Sequence, residues 1–100
     1  MTSALKRTVA TLAIAAGLTA ATAGAAFAAV EYVGGGKWSH GFTGAPRVGD
    51  VYSNYYHGSY CHGSTAFGTT TDRATAYAGS TSYASATRAF SNNQTYWRYC

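Results

Sequence analysis

After Leu18 the chain contains no leucine, isoleucine or methionine. Met1, Leu5, Leu12, Ile14 and Leu18 all fall near the start, so a core built by the remainder cannot be aliphatic. Its apolar area must come from Trp38, Trp97, Phe42, Phe67, Phe90, four valines and nine tyrosines. Aromatic and β-branched side chains fit a pleated surface better than a helix, which makes one small all-β domain the expected product.

Residues 1–28 read as a secretory signal peptide. Lys6 and Arg7 form the basic start, an uncharged run follows from Thr8, and Ala26-Phe27-Ala28 has the small-x-small form of a signal peptidase site. Cleavage between Ala28 and Ala29 leaves a mature domain of residues 29–100. A retained membrane anchor is the rival, since the uncharged run is long enough to span a bilayer. Its Ala, Thr and Gly content is weakly hydrophobic, which favours the cleaved leader and a secreted protein.

A domain this short buries a modest share of its surface and needs a staple. Cys61 and Cys100 are its only cysteines. Export places them where a disulfide persists, and an intrachain bridge would tie the C-terminus to the middle of the chain. A bridge between two copies through Cys100, or two free thiols, are the alternatives.

Charge excludes more than it proposes. Past the leader, Lys37, Arg47, Arg73, Arg88 and Arg98 stand against Glu31, Asp50 and Asp72, and no basic run exists to follow a nucleic-acid backbone. A slight positive balance favours approach to an anionic cell surface.

The densest stretch is Tyr52 to Ser64, which reads as a hairpin turning at Gly58-Ser59 in a type II′ connection. That register sets His57 opposite Tyr60, Tyr56 opposite Cys61, and Tyr55 opposite His62. One face then carries Tyr55, His57, Tyr60 and His62, and the other carries Tyr52, Tyr56 and Cys61. Upstream, Lys37 to Phe42 is the first strand, with Trp38, His40 and Phe42 on one face. Thr43 to Asp50 is a loop, Val51 to His57 the second strand, and Tyr60 to about Thr70 the third. Alternation of alanine with polar residues makes Arg73 to Phe90 two more strands with a turn at Gly79-Ser80, and Thr95 to Cys100 is the last. About six short strands at this spacing suggest a small β-sandwich.

No reaction is legible. Three scattered carboxylates do not make an acid-base pair, there is no nucleophile elbow, and Gly34-Gly35-Gly36 lacks the strand-to-helix setting of a phosphate loop. We therefore expect no enzyme and no cofactor. Two binding readings remain. His57 and His62 on one hairpin face, with His40 nearby, offer three imidazoles for zinc, although their spacing matches no established pattern. Alternatively Trp38, His40, Asn54, Tyr55, His57, Tyr60 and His62 form a ligand-binding surface, since aromatics with polar tips bury well and still present donors.

Gly36-Lys37-Trp38-Ser39-His40-Gly41, followed by Tyr52-Ser53-Asn54-Tyr55-Tyr56-His57-Gly58-Ser59 with His62 and Ser64, resembles the lactococcin 972 family of secreted bacteriocins. The likeness returns at Tyr96-Trp97-Arg98-Tyr99. It implies an antibacterial protein, a β-sandwich of two three-stranded antiparallel sheets, that binds the cell-wall precursor lipid II and blocks septum formation without forming pores, with a dimer among the assemblies it allows. Trp38, His40, Ser53, Asn54, Tyr55, His57, Gly58 and His62 match the family motif by position. The mature part has no amphipathic helix with which to enter a membrane. A secreted structural or surface-interaction β protein without killing activity is the reading from another class.

Overall fold

The computed structural model describes residues 26–100. These form seven strands: β1 (Phe27–Val33), β2 (Gly36–Phe42), β3 (Asp50–His57), β4 (His62–Phe67), β5 (Thr71–Ala76), β6 (Ser80–Thr87) and β7 (Gln94–Tyr99). All pairings are antiparallel, in a four-stranded sheet of order β1-β2-β3-β6 and a three-stranded sheet of order β5-β4-β7. Nearly all of the segment read as a leader lies outside the described residues. The Ala28–Ala29 bond falls inside β1, where Ala29 pairs with His40.

The expectation of two three-stranded sheets is corrected to four and three, and the added strand is β1. Gly34 and Gly35 take φ of 60° and 83°, the two positive values that a type I′ turn requires, and this folds residues 27–33 back along β2. A Gly-Gly pair between Val33 and Gly36 is itself a hairpin signal.

The Gly58-Ser59 hairpin is also corrected. β3 pairs with β2 and β6, whereas β4 pairs with β5 and β7, so residues 58–61 carry the chain from one sheet to the other. Gly58 is not among the positive-φ glycines, and a type II′ turn needs one at that position. Instead the His57 ring organises the bend. Its Nδ1 accepts the amide N–H of Ser59 at 3.0 Å and of Tyr60 at 3.1 Å. The turn at residues 77–79 likewise passes between sheets, with Gly79 at φ 90° donating its N–H to the His57 carbonyl at 2.8 Å.

Strand faces follow the alternation read from the sequence. Trp38 and His40 on β2, Ser53, Tyr55 and His57 on β3, and Ser82, Ala84 and Ala86 on β6 are buried, as are His62, Ser64 and Ala66 on β4 and Thr95 and Trp97 on β7. Two clusters make the interior: Trp38, Tyr55 and Trp97 with Val33 against them, and Val51, Ala66 and Ala84 with Phe42 and Ala74. The first compensates for the missing aliphatics, since truncating a buried aromatic to alanine costs roughly 3–5 kcal/mol. In the second, alanine and serine let the layers approach, and the Ser64 and Ser82 hydroxyls meet across them at 2.9 Å.

Cys61 and Cys100 are bridged within the chain, with Cα atoms 5.3 Å apart, which settles the pairing among its alternatives. The Cys100 amide also donates to the Cys61 carbonyl at 3.0 Å.

Candidate functional site

Six of the seven residues chosen from the sequence as ligand contacts are brought together, but mostly on the inside. Trp38, Tyr55 and His62 are fully buried, and His40 and His57 are nearly so. Tyr55 packs on Trp97 at 5.1 Å between centroids and meets the His62 ring edge-on at 5.5 Å. His57 lies 4.9 Å from Tyr60 and 6.1 Å from His62. The four-residue face expected of Tyr55, His57, Tyr60 and His62 therefore exists, although it is assembled between two sheets rather than across a hairpin.

The polar tips of Trp38, Tyr55, His57 and His62 have partners. The Trp38 indole N–H donates to Ser53 Oγ at 2.9 Å, and the Tyr55 hydroxyl donates to the Val33 carbonyl at 2.8 Å. Burial pushes the Tyr55 phenol well up, with Tyr99 adding to the shift. Because His57 Nδ1 accepts two amides, the ring hydrogen sits on Nε2 and is donated to the Gly34 carbonyl at 3.0 Å. His62 Nδ1 and Nε2 face the carbonyls of Tyr60 at 2.7 Å and Ser80 at 2.8 Å.

His40 is separate from that pair. Its ring stacks on Trp38 at 3.7 Å, Nε2 reaches Glu31 Oε2 at 2.8 Å, and Nδ1 lies 3.3 Å from Thr95 Oγ1. Burial holds this imidazole below its ordinary range, outweighing the hydrogen bond and charge of Glu31, which act the other way. A neutral ring donating to the carboxylate and accepting from the threonine satisfies all three groups. The zinc site drawn from His40, His57 and His62 is thus corrected: the ring nitrogens are already engaged, and no group of three or more metal-ligating side chains is gathered among the described residues.

Solvent meets a different set of aromatics. Tyr60 is 60% exposed and Tyr99 45%, and they flank the disulfide around a shallow recess. On the outer face of the four-stranded sheet, Tyr32, Gly35, Gly36, Lys37 and Tyr56 line another recess of about 390 Å³. Asn54 stands half-buried on the same face of β3 as Tyr56. Of the residues chosen from the sequence, Asn54 and Tyr60 are the two with substantial contact with solvent. Tyr32, Lys37 and Tyr99 were missed; the first two face out across β1 and β2, a pairing that the Gly34-Gly35 turn announces.

The family description Bacteriocin (Lactococcin_972) matches residues 34–97, from the β1–β2 turn to Trp97, the second core tryptophan. The chain belongs to the lactococcin 972 family of bacteriocins. No curated protein and no solved structure matches it. In this lactococcin 972 family member, the motif residues Trp38, His40, Ser53, Tyr55, His57 and His62 form the interior that joins the sheets. Membership implies a secreted antibacterial protein. Among the described residues of this bacteriocin, no helix is long and apolar enough to cross a membrane.

Proposed function

We propose that the protein is exported, binds the cell-wall precursor lipid II, and stops growth of Gram-positive bacteria by blocking septum formation. The observation that carries this reading is the match to a bacteriocin family across residues 34–97. The disposition of side chains supports it. A core locked by indole, phenol and imidazole hydrogen bonds supports outward tyrosines, a lysine and arginines, groups that stack on sugars and bind phosphates.

Purified, oxidised mature protein should inhibit growth of a panel of Gram-positive strains, and added lipid II should relieve the inhibition. Dividing cells should lose septa while their membranes remain sealed to a dye. Absence of inhibition across the panel would overturn the antibacterial reading, and inhibition indifferent to lipid II would overturn the ligand.

A further inference from the structure

The outer face of the three-stranded sheet carries two like charges close together. In its register Arg73 lies opposite Thr65, and Arg98 lies opposite Gly63. Arg98 does not remain over its own strand. Its guanidinium crosses β4 above Gly63, where a Cβ would overlap Nη1, and on β5 it donates to the Ala74 carbonyl at 3.3 Å and to Thr75 Oγ1 at 2.6 Å. Thr75 and Arg73 are alternate residues of β5, hence on one face about 7 Å apart. The two cations are therefore neighbours, and the charge of Arg73 joins burial in holding Arg98 below its ordinary range.

Among the described residues no acidic side chain offsets them. Glu31 is paired with His40, Asp72 accepts the Ser85 amide on β6, and Asp50 begins β3 in the other sheet. Among the described residues neither arginine has a carboxylate within salt-bridge reach. Two hydrogen bonds fix Arg98 yet use only two of its five N–H donors. A guanidinium held in place beside a second, exposed one suits the oxygens of a phosphoryl group, and two neighbouring cations suit two linked phosphoryl groups better than one.

We propose that Arg73 and Arg98 bind a pyrophosphate, the link between lipid carrier and sugar in lipid II. The anion site stands on this geometry, and the lipid-linked source of the pyrophosphate rests on the lipid II reading. The first test follows the backbone amides of residues 73–75 and 98 by NMR as inorganic pyrophosphate or inorganic phosphate is added, with ionic strength matched by sodium chloride. Pyrophosphate should shift them saturably and bind at least tenfold more tightly than phosphate. Arg73→Gln, at an exposed position, should weaken binding at least tenfold with an unchanged melting temperature. Arg98→Lys, which keeps the charge and loses the fork, should weaken it as well. The second test compares vesicles carrying a polyprenyl pyrophosphate with phosphatidylglycerol vesicles of equal surface charge, and only the former should retain the protein.

Equal binding of phosphate and pyrophosphate, undiminished binding by Arg73→Gln, or equal retention on both vesicles would overturn the proposal. The two readings fail separately. Protein that binds pyrophosphate here but kills nothing overturns the antibacterial function and leaves the anion site, whereas protein that kills through lipid II and ignores pyrophosphate overturns this site alone.

Discussion

Trp38 donates its indole N–H to the hydroxyl of Ser53 at 2.9 Å, and that hydroxyl passes its own hydrogen to the Tyr96 carbonyl at 2.9 Å. One serine thereby settles the polar tip of a fully buried tryptophan and ties the four-stranded sheet to β7 of the other. A core made of tryptophan, tyrosine and histidine must solve this problem repeatedly, because each such side chain brings a polar atom inside with it.

Ser53→Ala should therefore cost more than a lost hydroxyl. It leaves the indole N–H and the Tyr96 carbonyl without their partner, at roughly 1–3 kcal/mol each. Urea unfolding should show a loss of about 2–4 kcal/mol. Ser39→Ala, on the half-buried opposite face of β2, should stay within about 0.5 kcal/mol. Equal effects of the two changes would refute the role assigned to Ser53.

Acid should weaken the fold through His40. Burial lowers its pKa in the folded protein below the ordinary histidine value of about 6.5. Between the two values the unfolded chain binds the proton more readily than the folded one, so stability is complete above about 6.5 and declines as pH falls through that interval. Urea midpoints taken at about pH 7 and about pH 5 should differ less in His40→Gln than in the parent. An identical pH dependence in both would show that His40 is not the group responsible.

Gly63→Ala should act on Arg98 at a distance from its own small volume. The added Cβ meets Nη1 of Arg98 and also crowds the Ala74 carbonyl, so the guanidinium must leave its place above β4. Stability should fall by roughly 1–3 kcal/mol, the range for overpacking, and pyrophosphate affinity should drop with Arg73 and Arg98 both still present. Retained affinity in a folded Gly63→Ala protein would mean that Arg98 need not cross the strand.

Reducing the disulfide should cost about 4 kcal/mol, the chain-entropy value for a bridge spanning a separation of 39 residues. Thermal unfolding with and without reductant measures it, and Cys61→Ser with Cys100→Ser should match the reduced protein. An unshifted melting temperature would indicate that β3, β4 and β7 hold the C-terminus without covalent help.

Much of the fold can be read from single strands and little from the connections between them. The period-two pattern sets Trp38 with His40, and Ala84 with Ala86, on shared faces, and the structure buries those faces, because alternation is a property of each strand alone. Whether Gly58-Ser59 closes a hairpin or lets the chain change layers depends on where β6 and β7 lie, and local sequence does not carry that. The Gly34-Gly35 turn was legible and was passed over, at the expense of β1. The burial of most candidate contacts has a chemical reason. Tryptophan and histidine are ordinarily conspicuous as binding groups, but in a domain without leucine they are also the available core, so Trp38, His40, Tyr55, His57 and His62 went inside. The exposed Lys37, Arg73 and Tyr99, by contrast, look unremarkable in the sequence.

The Cys61–Cys100 bond encloses β4, β5, β6 and β7 in one covalent ring. A protease that clips an exposed bend inside that ring, such as the one at Gly79, releases no fragment, because both new ends remain joined through sulfur. The severed strands stay beside their neighbours and can settle back into place. A single cut inside the ring therefore leaves one covalently joined molecule, and separating its pieces requires a second cut or a reductant.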